Sequence, residues 1–309
     1  MTSTPILSLS PTRYLTNRSR INYLIDEYLA IDCLSNHLTD LKAQFITPYQ
    51  RPWGPVYWQE INPDQIVSID PEIFLELLAG AAEVESPIRS YSRESWDYLQ
   101  QFHPEMATFL GGTYGPDQSI QVVGIWEKEE RQHAPALRKM YQQLTGHQLT
   151  LKPNSVQGYH ASNNLQDDIY HHLVSRLSSE WSAISLYLWL MAHSTGALRG
   201  AIAQILQDEV NHLAKFWGFS RWAFGRSFQE QFLAATHTVA QLFKHYEQER
   251  SHGSQALNTH QWLHQLSESV ELMFTFLRVM VRIRRWDTQL STRSLNHLFE
   301  PRPLEGFAC

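Results

Sequence analysis

Residues 126–137 read Trp-Glu-Lys-Glu-Glu-Arg-Gln-His-Ala-Pro-Ala-Leu and contain an acid-acid-x-x-histidine run, in which Glu130 precedes His133 by one helical turn. The same run returns at residues 208–212. Side chains three residues apart on an α-helix lie on one face, so each Glu-x-x-His pair can bind a common ion. Two such pairs, with one Glu from each of two further helices, form the ligand set of a dinuclear carboxylate site in a four-helix bundle.

Helical phase selects the two single glutamates. Glu85 lies on the apolar stripe of the helix that begins at Pro71, whereas the other acids of that helix lie on a more polar face. Glu180 lies within the apolar stripe of a later helix. A carboxylate among apolar side chains is costly to desolvate unless it is paired or binds metal. The predicted metal ligands are Glu85, Glu130, His133, Glu180, Glu209 and His212.

An acid directly precedes the glutamate of each Glu-x-x-His pair, Glu129 in the first and Asp208 in the second. Metal-bound histidines usually donate their other ring hydrogen to a carboxylate, which fixes the tautomer and the ring orientation. We therefore expect Glu129 to contact His212 and Asp208 to contact His133 across the bundle. The alternative interpretation is that both are surface acids beside buried ones.

The rest of the chain predicts an all-α fold, because apolar residues recur at helical spacing and no alternation typical of a sheet is found. We expect residues 1–19 to form a flexible arm, with a transit-like leader as the alternative interpretation. Residues 291–309 are expected to form an irregular tail. Residues 20–290 predict a single helical domain. Its metal-binding bundle spans about 70–225 and its C-terminal helices about 228–290. The predicted helices are 21–45, 71–102, 119–146, 165–193, 197–216, 228–249 and 257–290.

Composition excludes several classes of function. The 309 residues are 43% hydrophobic and carry a net charge of −6, which gives no support to nucleic-acid binding. Two cysteines, Cys33 and Cys309, are too few for a disulfide framework or an iron–sulfur cluster, and they fit a reducing cytoplasm. The longest nearly apolar run, 183–192, is about half of what a bilayer requires, so no membrane span is expected.

The donor set indicates the metal. Four carboxylates and two imidazoles favour two iron ions, with manganese as the alternative, whereas zinc prefers four-coordinate nitrogen and sulfur sites. A structural salt-bridge core is the competing interpretation, but it would need basic partners that the four apolar stripes do not supply.

The run at 126–133 resembles the first iron-ligand helix of the soluble acyl-ACP desaturases, in the ferritin-like superfamily, and the run at 208–212 resembles the second. Glu85 and Glu180 match the single-glutamate positions of that family, and the resemblance covers about residues 65–290. It implies a ferritin-like four-helix bundle with additional N- and C-terminal helices. It also implies O2-dependent oxidation of a fatty-acyl substrate on an acyl carrier protein, electrons from a donor such as ferredoxin, and a homodimer.

One difference from the desaturases leaves the reaction open, and two further features argue against other members of the superfamily. Desaturases carry a Thr near the third-helix glutamate that takes part in handling oxygen, whereas Ala183 and Ile184 occupy the next turn here. Ribonucleotide reductase small subunits place a radical Tyr one turn after the first histidine, where this chain has Leu137. Ferritins lack the long segments that flank this bundle. The alternatives are a di-iron oxygenase for an amine or aromatic metabolite and an iron-binding or peroxide-detoxifying protein.

The sequence also predicts an apolar pocket, a basic docking surface and a set of exposed histidines. A possible apolar pocket beside the metals is predicted from Trp126, Trp181, Ala183 and Ile184, although such aromatic residues are more often core. Four arginines near the end of the last long helix predict either a docking surface for an acidic carrier protein or ferredoxin, or a solvated helix end. They are Arg278, Arg282, Arg284 and Arg285. The predicted surface histidines are His171, His172, His237, His245, His260 and His264.

Overall fold

The structure is a computed structural model that describes residues 11–151, 162, 164–225, 259–287 and 290–299. It is mostly helical, which confirms the all-α prediction. The first helices are α1 (Pro11–Tyr28), α2 (Ile31–Thr39), α3 (Leu41–Ile46), α4 (Pro71–Val84), α5 (Ile88–Leu99) and α6 (Pro104–Gly111). They are followed by α7 (Ile125–Glu130), α8 (His133–Thr145), α9 (Leu165–Ala192), α10 (Gly196–Phe224), α11 (Thr259–Asp287) and α12 (Thr292–Phe299). Short 3-10 turns lie at Trp58–Glu60 and Pro63–Gln65.

The two longest inner helices, α9 and α10, form the centre of the molecule. A tight turn joins them, so they run antiparallel, and they pack on each other more extensively than any other pair of described elements. Helix α4 packs on α8, α5 and α11 pack on α9, and α2 packs on α10. The turn depends on Gly196, whose φ is +56° and whose Cβ position would lie 2.7 Å from Nε2 of Gln65.

The N-terminal part differs from the prediction. Helix α1 begins at Pro11, so residues 11–19 are not a flexible arm, and residues 1–10 lie outside the described part. The helix predicted over 21–45 is divided into α1, α2 and α3. Ala30 has extended backbone between α1 and α2. This break lets α1 pack on α9 while α2 packs on α10, which a straight helix would not allow.

Prolines divide both of the long helices predicted to carry the first ligands. Pro87 separates α4 from α5, and Pro135 lies three residues into α8, just after the break at residues 131–132. Proline lacks an N–H and its ring clashes with the carbonyl four residues earlier, so it is tolerated only in the first turn of a helix. The predicted continuous helices over 71–102 and 119–146 were therefore wrong at these two points.

A short hairpin lies between α6 and α7, where no sheet was predicted. Strand β1 (Thr113–Tyr114) pairs antiparallel with β2 (Ile120–Val122), so the third predicted helix begins at Ile125 rather than residue 119. Gly112 permits the hairpin to close, because its φ is +86° and a Cβ there would lie 1.8 Å from the carbonyl oxygen of Val122.

The C-terminal part contains one predicted and one unpredicted helix. Helix α11 lies within the predicted range 257–290, whereas α12 occupies a segment predicted to be irregular and buries Leu295 and Phe299 in the core. The predicted helix over 228–249 lies outside the described residues. Among the helices that the structure describes, none combines the length and apolarity needed to cross a bilayer.

Candidate metal centre

The six predicted ligands converge although they come from four separate parts of the chain. Glu180 lies in the middle of α9, and Glu209 and His212 lie one turn apart on α10. Glu130 ends α7 and His133 begins α8, while Glu85 caps the C-terminus of α4. All six side chains are buried. Each ligand is thus held by packed helices, except that Glu85 lies in a turn rather than within a helix.

These side chains form two groups that could each hold a metal ion. One donor atom from each of Glu85, Glu130, His133 and Glu209 lies within 4.8 Å of the others, and the same holds for Glu130, Glu180, Glu209 and His212. Glu130 and Glu209 belong to both groups. The two imidazole centroids are 6.3 Å apart. The two groups are therefore parts of one continuous cluster, and each could hold a metal ion.

The carboxylates next to the ligands cross the bundle as predicted. Glu129 Oε2 lies 2.8 Å from Nε2 of His212, and Asp208 Oδ2 lies 3.3 Å from Nε2 of His133. A carboxylate only accepts hydrogen bonds, so Nε2 carries the proton in both rings. The lone pair of each neutral imidazole is then on Nδ1, the nitrogen that faces the carboxylate cluster.

Several buried nitrogen and oxygen atoms in the cluster lack hydrogen-bond partners among the described residues, which bears on whether a metal ion fits there. Nδ1 of His133 and of His212, Oε2 of Glu180 and Oε1 of Glu209 have no hydrogen-bond partner within the ranges that the structure describes. His133 Nδ1 lies 3.1 Å from Oε1 of Glu209, but this contact lacks hydrogen-bond geometry. Buried polar atoms are rarely left unpaired. Two imidazole nitrogens and two carboxylate oxygens that share a dry space are the donors a cation would satisfy.

The titration behaviour of the cluster shows that it lacks positive charge. Burial, and then the charge of Glu130, raises the pKa of Glu85 and Glu209, and raises that of Glu180 to about 7. Burial opposes ionisation of Glu130 as well, but His133 and His212 lower its pKa below the usual value. Burial disfavours the charged form of His212, yet the hydrogen bond to Glu129 and the nearby carboxylate of Glu130 raise its pKa to about 10. Protons therefore supply the charge that a bound cation would otherwise provide.

Tyr187 is a site residue that the sequence reasoning missed. Its buried hydroxyl donates to Oε1 of Glu85 at 2.7 Å. A signal existed, because Tyr187 follows Glu180 by two helical turns and so lies on the same face of α9.

Arg51 and Trp53, in the connection between α3 and α4, were also missed. The Arg51 backbone N–H donates to Oε1 of Glu129 at 2.7 Å, and its guanidinium donates to Oδ1 of Asp208 at 2.5 Å. The Trp53 indole N–H donates to Oδ2 of Asp208 at 2.7 Å. The connection therefore holds both carboxylates that orient the histidines. No periodicity in a proline-rich segment could have indicated this.

The residues predicted to line a pocket are placed in the core. Trp126 packs edge-on against His212 and Phe216, and Trp181 packs against Trp217. Ile184 is fully buried and Ala183 partly buried. Their role in substrate binding stays a prediction.

Two other surface predictions have mixed outcomes. Among the four arginines, now on α11, Arg278 donates to Asn22 and Arg282 to the carbonyl of Leu29, while Arg284 and Arg285 are exposed. The histidine prediction was wrong for His172, which is buried with Nε2 3.1 Å from the Ser95 hydroxyl. His171 is exposed as predicted. The side chains of His237, His245, His260 and His264 lie outside the described part.

No protein-family model, curated protein or solved structure significantly matches this chain.

Proposed function

We propose that this chain is an O2-dependent oxidoreductase that binds two iron ions in a ferritin-like bundle formed by α4, α7–α8, α9 and α10. The observation that carries the proposal is the pair of four-residue groups that share Glu130 and Glu209. Shared carboxylates would hold two ions side by side, the arrangement typical of carboxylate-bridged dinuclear sites.

The donor set favours iron, with manganese as the alternative. Four carboxylates and two imidazoles offset much of the charge of two divalent ions, which makes their burial tolerable. Zinc is less suitable, because its sites usually have four nitrogen or sulfur donors. When bound, two ferrous ions supply the electrons that reduce O2 and so permit oxidation of an unactivated C–H bond.

The protein's own residues would orient and insulate the metals. Glu129 and Asp208 hold the two imidazoles with Nδ1 directed inward, and Arg51 fixes both of these carboxylates from outside. The Tyr187 hydroxyl holds one oxygen of Glu85, which leaves the other available to an ion. Burial of every ligand excludes water from the reacting space.

The substrate and partners follow from the resemblance to acyl-ACP desaturases. We propose an apolar, fatty-acyl substrate presented by an acyl carrier protein, electrons from a ferredoxin, a cytoplasmic location and a homodimer. The exposed Arg284 and Arg285 on α11 support docking of an acidic partner.

A second candidate is a ferritin-like iron-binding or peroxide-detoxifying protein without an organic substrate. It is favoured by the packing of Trp126 and Trp181, whose rings contact other aromatic rings in the core.

Metal stoichiometry tests the site. The wild type is expected to bind two iron ions per chain, and Glu180→Ala one, because Glu180 belongs to only one group. Glu130→Ala is expected to weaken the binding of both ions. Glu72→Ala, which changes an exposed acid on α4, is the matched control. Retention of two tightly bound ions by Glu180→Ala would contradict the ligand assignment.

Oxygen consumption separates the candidate functions. The ferrous protein is mixed with O2 in the presence of an acyl carrier protein that bears a saturated chain, and the chain is analysed by mass spectrometry. A desaturase or oxygenase yields an acyl product that has lost two hydrogens or gained one oxygen. Iron oxidation with an unchanged chain favours the second candidate, or an amine or aromatic substrate, which the same assay can examine.

A further inference from the structure

A cavity of about 280 Å³ lies between α1 and the turn that joins α9 to α10. One face of α1 forms most of its wall, and Met191 and Arg199 close it. Its lining residues are Thr16, Ser19, Arg20, Tyr23, Leu24, Met191 and Arg199. Met191 precedes the turn and Arg199 follows it, each roughly 15 Å along its helix from the nearest metal ligand at 1.5 Å rise per residue. The cavity is therefore separate from the candidate metal centre.

Two arginines give the cavity an excess of positive charge. Arg20 donates to the carbonyl of Ser194 at 3.4 Å, which uses one of its five N–H groups. Arg199 has one carboxylate nearby, with its guanidinium 4.0 Å from Glu27 on the exposed surface. Such an exposed and distant ion pair compensates little charge. Burial and the proximity of Arg199 both lower the pKa of Arg20, which shows that the two cations repel each other.

The neighbouring chain offers little to neutralise this pair. Residues 1–25, which include most of α1 and everything before it, contain no Asp or Glu. The start of α10 adds to the positive potential, since the backbone N–H groups of a helix N-terminus carry partial positive charge. Glu27, near the end of α1, is the acid that an ion pair joins to this pair within the described residues, so one of the two positive charges is left for an external anion to compensate.

The remaining lining residues define the shape of a ligand. Leu24 and Met191 are almost completely buried and form an apolar floor. Thr16, Ser19 and Tyr23 are exposed lining residues that carry hydroxyl groups. A volume of 280 Å³ lies just below the range of about 300–1,000 Å³ typical of small-molecule sites. The ligand is thus small, with a charged head and a short apolar part.

We propose that this cavity binds a small amphipathic oxyanion, a carboxylate or phosphate group on a short hydrocarbon chain. Arg20 and Arg199 hold the oxyanion, and the chain lies on Leu24 and Met191. The planar guanidinium groups suit both kinds of oxyanion, because each can donate two parallel hydrogen bonds.

Calorimetric titration of the full chain with four probes tests this site. Hexanoate and hexyl phosphate contain both parts of the ligand, inorganic phosphate only the head and hexan-1-ol only the chain. We expect one or both of the amphipathic anions to bind at least about tenfold more tightly than either fragment, as one further charge-assisted hydrogen bond or a buried chain implies. The preferred anion distinguishes a carboxylate ligand from a phosphate ligand.

Variants locate the binding. Arg199→Gln is expected to lower the affinity for the preferred probe by about tenfold or more. Arg20→Lys is expected to lower this affinity while the protein stays folded. Arg284→Gln, an exposed arginine on α11, is the matched control and should bind as the wild type does. Unchanged iron content and circular dichroism show that each variant is folded. Equal binding by wild type and Arg199→Gln, or no preference for the amphipathic anions over the fragments, would overturn the proposal.

Discussion

The side chain of Glu85, a candidate metal ligand, is oriented by a single hydrogen bond from Tyr187. Glu85 lies in the turn after α4, so its backbone is less restrained than that of Glu180 in the middle of α9. The Tyr187 hydroxyl, 2.7 Å from Oε1 of Glu85, supplies the missing restraint. Partners that orient metal ligands typically change metal affinity by about 10–100-fold.

If the proposed centre holds two metal ions, Tyr187→Phe is expected to weaken the binding of one of them by about tenfold or more, while the second binds as before. Competition with a chelator measures both affinities. Tyr91→Phe is the control, since the Tyr91 ring packs under Arg176 and no hydrogen bond joins it to a ligand in the described residues. Equal affinities in Tyr187→Phe and the wild type would show that packing alone positions Glu85.

His172 provides a pH-dependent contribution to stability outside the metal site. Burial and then Arg176 hold its pKa well below the ordinary value, whereas the unfolded chain binds a proton near pH 6.5. The unfolded state thus takes up more protons as the pH falls below about 6.5, and the folded state loses up to about 1.4 kcal/mol per pH unit from this residue.

His172→Gln is expected to reduce the decline of the unfolding free energy between about pH 6.5 and pH 5. Urea unfolding of the metal-free protein at several pH values measures this slope. His171→Gln replaces the exposed neighbour and should leave the slope unchanged. A wild-type slope in His172→Gln would show that other groups cause the acid sensitivity.

The connection between α3 and α4 acts as an element although it lacks regular structure. Arg51 donates to Asp208, to the Gln207 side chain and to the carbonyl of Gln204, so it fixes the connection to α10. Its backbone N–H also reaches Glu129. Removing either partner of a buried charge pair leaves the other uncompensated, which typically costs about 3–5 kcal/mol.

A double-mutant cycle tests this connection. Arg51→Gln and Asp208→Asn are each expected to destabilise the protein, and the double variant to lose less than the sum of the two changes, with a coupling of about 1–3 kcal/mol. Denaturant unfolding measures the three differences. Additive losses would mean that Arg51 stabilises the protein through its contacts with Gln204 and Gln207.

Two glycines of α10 allow a matched test of helix packing. A Cβ at Gly218 would lie 2.4 Å from the buried side chain of Leu38 in α2, whereas a Cβ at the exposed Gly200 has open space around it. Gly218→Ala is expected to destabilise the fold by about 1–3 kcal/mol, and Gly200→Ala to stabilise it by about 0.5–1 kcal/mol. Thermal unfolding distinguishes the two. A stabilised Gly218→Ala would indicate that α2 can move away from α10.

The elements show which features the sequence could predict. The pair Glu209 and His212 was predictable, because the helical period places both side chains on one face of α10, which has no interior proline. Glu130 and His133 also converge, although the chain breaks between α7 and α8. The breaks before α5 and α8 were missed although proline marks both of them. The contact of Arg51 with α10 could not be inferred, because it joins residues about 150 positions apart through an irregular segment.

At the scale of the whole molecule, the candidate metal centre joins α4, α7, α8, α9 and α10 through four buried carboxylates and two buried imidazoles. Without a cation, the cluster must be neutralised by protons, and several of its polar atoms have no hydrogen-bond partner in the described part of the chain. An ion that binds only the folded chain stabilises it by about 2.7 kcal/mol when its free concentration is 100 times the dissociation constant.

Metal removal is therefore expected to lower the midpoint of thermal unfolding by several degrees, and addition of ferrous or manganous ions to restore it. Differential scanning calorimetry of the wild type with and without chelator measures the shift. Glu130→Ala should show little shift, because its carboxylate belongs to both ligand groups and its loss weakens both ions. The exposed Glu72→Ala should respond as the wild type does. If chelation left the wild-type midpoint unchanged while both ions were removed, folding would not depend on the cations, and the helices around the site would be stabilised by the apolar core of α9 and α10 alone.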